Sequence, residues 1–139
     1  MRFMVMMIPD VYRRPVPPDF FPPADAIAKM DRFNEELQKA GVLLALDGLR
    51  PPEQGARVSF DAAGKPKVTD GPFAETKEAI GGYWMLQVKS REEAIEWARR
   101  CPAQSGDILE IRQVFDPADF GTDAARRERE LMENVGKKA

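Results

Sequence analysis

Histidine is absent from this chain of 139 residues, and cysteine occurs once, at Cys101. The first absence removes the side chain that titrates nearest neutral pH and the commonest metal ligand, so histidine-based acid–base chemistry and ordinary zinc sites are excluded. A single cysteine forms no internal disulfide and suits a reducing compartment. Carboxylates alone would serve only Mg²⁺ or Ca²⁺, and no EF-hand or clustered aspartate spacing occurs, so neither metal nor cofactor is expected. Serine nucleophiles lack a histidine base. Long apolar runs are missing too. The opening MRFMVMMI stops at Pro9 and Asp10, too short for a signal peptide or a membrane span, which leads to the expectation of a cytoplasmic protein without a membrane partner. Neither sign of charge dominates, with 21 basic against 23 acidic side chains and a formal charge of −2. The concentrated basic surface that nucleic-acid binding requires is therefore not expected. Gly81-Gly82 precedes a strand and belongs to neither a dinucleotide nor a Walker phosphate loop.

What is present suits a globular domain, with 43% hydrophobic and 32% charged residues. Phe3 to Ile8 are all apolar, the pattern of a strand buried on both faces. Pro9, Pro15, Pro17, Pro18, Pro22 and Pro23 make the next segment an extended loop, and its Tyr12, Phe20 and Phe21 suit a packed flap. Apolar residues then recur at helical spacing from Ala24 to Ala40, with Asp25 as N-cap and Gly41 as C-cap. Val42 to Leu46 reads as a strand. Segments 56–60 and 65–69 flank Asp61-Ala62-Ala63-Gly64 as a hairpin polar enough for a sheet edge. Gly82 to Lys89 is a strong strand, Ser90-Arg91-Glu92-Glu93 a capping box opening a helix to Arg100, and Ile108 to Phe115 a final strand. A charged tail with a helical pattern follows.

In order these elements give β-α-β, an inserted hairpin and β-α-β. This is the α+β split βαβ, ferredoxin-like plan, an antiparallel sheet with two helices on one face. The domain is expected over residues 1–116 and the helical tail over 117–139. Two helices cover one sheet face only, so a homodimer is expected to bury Phe3, Val5, Met7 and alternate positions of 108–115 on the other.

The block Val68-Thr69-Asp70-Gly71-Pro72-Phe73, with Glu75, Lys77, Glu78 and Gly81-Gly82-Tyr83 after it, resembles the YCII-related family in its DGPF-domain branch. MRFMVMMI, Gly48-Leu49 before Pro51, SREEAIEWARRCP and ILEIRQVF fall in the family's order. The resemblance implies a dimeric ferredoxin-like domain of the α+β barrel kind. It implies little about activity, because most members of the branch have no defined one. Some relatives lie beside or are fused to extracytoplasmic-function sigma factors, which implies a regulatory association. Another branch carries a His–Asp dyad and includes a dehydrochlorinase. Without histidine that dyad does not transfer, and only Asp70 matches an acidic position of the pattern.

Asp70, before Gly-Pro, suits either a general base or the hydrogen-bonding start of a turn. Tyr12, Phe20, Phe21, Arg50, Phe73, Tyr83 and Arg112 are the candidates for lining a ligand cleft beside it. Cys101 sits at a helix C-terminus, where the dipole disfavours a thiolate, and reads as a small buried hydrophobe. Two functions follow. The first is a non-catalytic small-molecule-binding or regulatory interaction module. The second is a small enzyme, lyase-like or dehydrochlorinase-like, in which Asp70 moves a proton. The first is preferred because neutral-pH proton transfer is most easily served by histidine.

Overall fold

A computed structural model describes residues 1–73 and 78–137. Strand β1 (Arg2–Ile8) alternates half-buried and buried side chains. Its Phe3, Val5 and Met7 enter the core with Phe33 and Leu37 of helix α1 (Ala24–Lys39). After α1 come β2 (Leu43–Gly48), the hairpin strands β3 (Ala56–Phe60) and β4 (Pro66–Asp70), and β5 (Gly82–Gln87). Helix α2 (Arg91–Arg99) and β6 (Ile108–Gln113) complete the domain. The main sheet has the order β2-β5-β1-β6, every pairing antiparallel.

Helix α1 thus crosses from β1 to β2, and α2 from β5 to β6. Trp84 and Leu86 of β5, with Ala94 of α2, complete the buried cluster. Phe33 meets Trp84 edge-on at 5.8 Å, and the Trp84 indole N–H donates to Asn34 Oδ1 at 2.7 Å. Asn34 is a polar residue on an apolar helix stripe, and this bond satisfies the indole in the core. Burying Leu37 completely stabilises the fold by about 2–3 kcal/mol.

Several expectations are corrected. Phe3, Val5 and Met7 face the helices rather than a second subunit, because the helices cover the face they occupy. Period-two alternation puts Met4, Met6, Met85 and Ile108 on the open face instead. The hairpin is no edge of the main sheet. It forms a separate two-stranded sheet, with Val58 opposite Val68 and both exposed. The main sheet, with β2 and β6 at its edges, closes no barrel. Asp25 is not the N-cap of α1. Pro23 holds that position, and Asp25 lies in the first turn, where its charge suits the helix dipole. The proline-rich loop contains a 3₁₀ turn, Asp10–Arg13. At α2 the capping box is offset: Ser90 Oγ accepts from the Glu93 N–H at 3.1 Å, while the Glu93 carboxylate accepts from the Lys89 N–H. Gly41 ends α1 at φ 74°, in the αL conformation expected of it.

The tail begins with a 3₁₀ turn (Pro117–Phe120) held by a reciprocal Asp116–Asp119 box. Helix α3 (Thr122–Glu133) packs chiefly on that turn and leaves Leu131 and Met132 exposed. Among the described residues no helix is long and apolar enough to cross a membrane.

Candidate functional site

At one end of the sheet the chain leaves β1 at Pro9, leaves β2 at Leu49 and enters β5 at Gly81. These three crossings are tied by the backbone: the Gly81 N–H donates to Met7 O at 2.8 Å and the Leu49 N–H to Gly81 O at 2.9 Å. The contact leaves no room for a side chain. A Cβ on Gly81 would lie 2.8 Å from Pro9 Cγ, and one on Gly82 2.9 Å from Asp47 O. That close approach is the physical reason for the Gly-Gly pair at sheet entry.

Above this junction lies an open cleft of about 770 Å³. Its floor includes Met7, Gly82 and Trp84, one wall is the Ile27, Met30 and Asn34 side of α1, and the other runs from Leu46 to Pro51. The proline-rich segment is the roof. Tyr12 is buried, Phe20 packs edge-on against it at 6.0 Å, and Phe21 remains 77% exposed at the rim. The roof is anchored at both ends. At one end the Asp107 carboxylate accepts the backbone N–H groups of Asp10 and Gln104, each at 2.8 Å. At the other, Gln54 Nε2 donates to Pro18 O, and the Gln54 Oε1 accepts from Arg50 Nη1 at 3.2 Å.

Five of the residues expected from the sequence meet around this cleft: Tyr12, Phe20, Phe21, Arg50 and Tyr83. Tyr83 borders it from the far side of the sheet. Strand alternation sends its side chain opposite to Trp84, where the hydroxyl donates to Asp47 Oδ2 at 2.7 Å. Asp70, Phe73 and Arg112 lie elsewhere. Arg112 pairs with Met4 on β6, on the open face. The Arg57 guanidinium lies 4.0 Å from the centre of the Phe73 ring. Asp70 ends β4 opposite Ala56 and is exposed, and its carboxylate accepts no hydrogen bond among the described residues. The turn after it is held by the backbone instead, through the Gly71 N–H to Gly55 O at 2.9 Å. Glu75 and Lys77 lie outside the described residues.

Sequence reasoning missed Met30, Asn34, Asp47, Leu49 and Gln54. Met30 and Asn34 carried a signal, the one as a member of the apolar stripe of α1 and the other as the polar residue on it. Asp47, Leu49 and Gln54 depend on how β2 exits the sheet.

The electrostatics are quiet. Burial, then the nearby Glu53 charge, raises the Tyr12 hydroxyl above its ordinary pKa. The hydrogen bond to Asp47, then that residue's charge, does the same for Tyr83. Burial, with a smaller push from Asp107, takes the Cys101 thiol up to about 12. Among the described residues no three side chains of the metal-ligating kinds converge. The lining thus combines the apolar surfaces of Tyr12, Phe20, Met30 and Trp84 with charged side chains at its border.

Residues 1–118 match the YCII-related domain family. An uncharacterized protein of Rhizobium meliloti (strain 1021) is 42% identical over 48 residues, which make up 34% of this chain and 39% of that protein's length. The similarity to that relative thus spans well under two thirds of it.

Proposed function

Because the chain belongs to the YCII-related domain family, and because its open cleft presents apolar surface whose bordering charges are mostly engaged with one another or with the backbone, we propose that it is a small-molecule-binding module rather than an enzyme. The observation that carries this reading is the roofed cleft of about 770 Å³, a volume within the range of small-molecule sites. Asp70, the candidate base, lies away from it. The Val68–Phe73 block supports placing the chain in the DGPF-domain branch, and the order β2-β5-β1-β6 with two helical crossings supports the ferredoxin-like description. The open face, with Met4, Met6, Met85 and Ile108, supports a homodimer in which two sheets stack.

The chain provides its own reporter. Of its two tryptophans, Trp84 lines the cleft and Trp97 does not. Titration with a neutral aromatic probe, 3-phenylpropanamide, followed by ¹H–¹⁵N NMR is expected to shift the Trp84 indole N–H and leave that of Trp97 in place. Shifts of both, or of neither at millimolar probe, would overturn the assignment of the cleft.

A further inference from the structure

We infer that the ligand of this cleft carries a single carboxylate on an apolar body, with Arg50 as its anchor and Gln54 positioning that anchor. The inference rests on the binding reading above and adds the ligand's chemical class.

The charges bordering the cleft are Arg14 and Arg50 against Asp10, Asp31, Asp47 and Asp107. Most are already engaged. Asp10 pairs with Arg14 at 2.7 Å and with Arg13 at 3.4 Å. Asp107 accepts its two backbone N–H groups, and Asp47 accepts the Tyr83 hydroxyl on the far face of the sheet. Asp31 stands exposed at the rim on α1. Arg50 differs from Arg14 in that no carboxylate lies within ion-pairing distance of it among the described residues. Its one hydrogen bond there is from Nη1 to Gln54 Oε1. A guanidinium has five N–H donors in a fixed fork, so most of that fork remains for a planar acceptor.

Two features select a carboxylate. One unpaired guanidinium balances one negative charge, and among the described residues lining the cleft no second free cation accompanies it, whereas a dianion would meet the surrounding aspartates and the Glu53 charge beside Tyr12. The aromatic and aliphatic surfaces of Tyr12, Phe20, Met30 and Trp84 accept the rest of the molecule. Gln54 links the anchor to the roof, because the amide that accepts from Arg50 also donates to Pro18 O.

The test uses the full chain and two probes of matched shape, 3-phenylpropanoate and 3-phenylpropanamide, titrated by calorimetry and by the Trp84 indole signal. The carboxylate is expected to bind at least about tenfold more tightly than the amide, as a charge-assisted pair allows. Arg50→Gln is expected to weaken the carboxylate far more than the amide and so bring the two affinities together, with an unchanged melting temperature showing that the variant is folded. Gln54→Met is expected to lower the carboxylate-to-amide ratio, a readout that a merely structural role would not move. Equal binding of both probes to the wild type, or a ratio that survives Arg50→Gln, overturns the anchor and leaves the cleft reading standing. Binding of neither probe overturns both.

Discussion

Glycines and the lone thiol show how single positions are constrained. A Cβ on Gly71 would sit 1.8 Å from Pro52 O and 2.8 Å from Pro52 C, both backbone atoms that move only with the chain, whereas one on Gly48 would meet nothing within 4 Å. Gly71→Ala is therefore expected to cost at least about 1–3 kcal/mol in denaturant unfolding, and Gly48→Ala to change stability by no more than about 0.5 kcal/mol. Equal midpoints for the two variants would remove steric exclusion as the reason for glycine in the DGPF block. Cys101 makes a pH prediction. Its folded pKa of about 12 lies above the ordinary 9.0, so unfolding releases a proton between those values. The stability gained by keeping the thiol neutral is complete below pH 9 and is lost as pH rises through 12. Cys101→Ala should flatten the decline in urea midpoint over that range, and native Cys101 should alkylate slowly at pH 8. Rapid alkylation of the folded protein would contradict the burial argument.

Among the elements, the roof over the cleft has two kinds of aromatic residue. Tyr12 is 6% exposed and packs under the segment, while Phe21 is 77% exposed at its rim. Tyr12→Ala is expected to cost on the order of 3 kcal/mol and Phe21→Ala less than about 0.5 kcal/mol, measured by thermal or urea unfolding. If Phe21 instead covers the ligand, its loss should weaken 3-phenylpropanamide binding while leaving the melting temperature unchanged. Deleting residues 13–19 should abolish the Trp84 response to that probe, since it removes the carbonyl that Gln54 grips. An unchanged response would show that the roof is irrelevant to binding. The elements also show where local signals succeeded. Gly41, the Ser90 cap and the Asp61–Gly64 turn were legible because each depends on a few consecutive residues. At the N-terminus of α1 the proline at position 23 held the cap position, a choice that nearby Asp25 made hard to see.

For the whole molecule, the open sheet face decides the prediction. Helices α1 and α2 bury Phe3, Val5 and Met7, leaving Met4, Met6, Met85 and Ile108 across three adjacent strands. A stable pair of copies needs roughly 800 Å² from each partner, which a four-stranded sheet face is broad enough to supply. Sedimentation at micromolar concentration is expected to give a particle of twice 15.6 kDa. Met6→Asp should halve that mass, because it places a carboxylate opposite Glu110 in the contact, where like charges repel. A wild-type chain that sediments as a monomer would refute the stacked-sheet dimer.

The sequence alone determined the α+β class, the succession of strands and helices along the chain, both crossover helices and the aromatic character of the roof. Each follows from periodicity, capping or turn chemistry within about twenty residues. It also confined the chemistry by lacking histidine. Tertiary structure decided which face of β1 is covered, because alternate residues of an all-apolar strand look the same until the helices choose one side. Long-range contacts likewise separated Asp70 and Arg112 from the cleft, and joined Gln54 to Pro18. Those relations depend on where the exits of β1 and β2 meet the entry of β5, and no local pattern records that meeting.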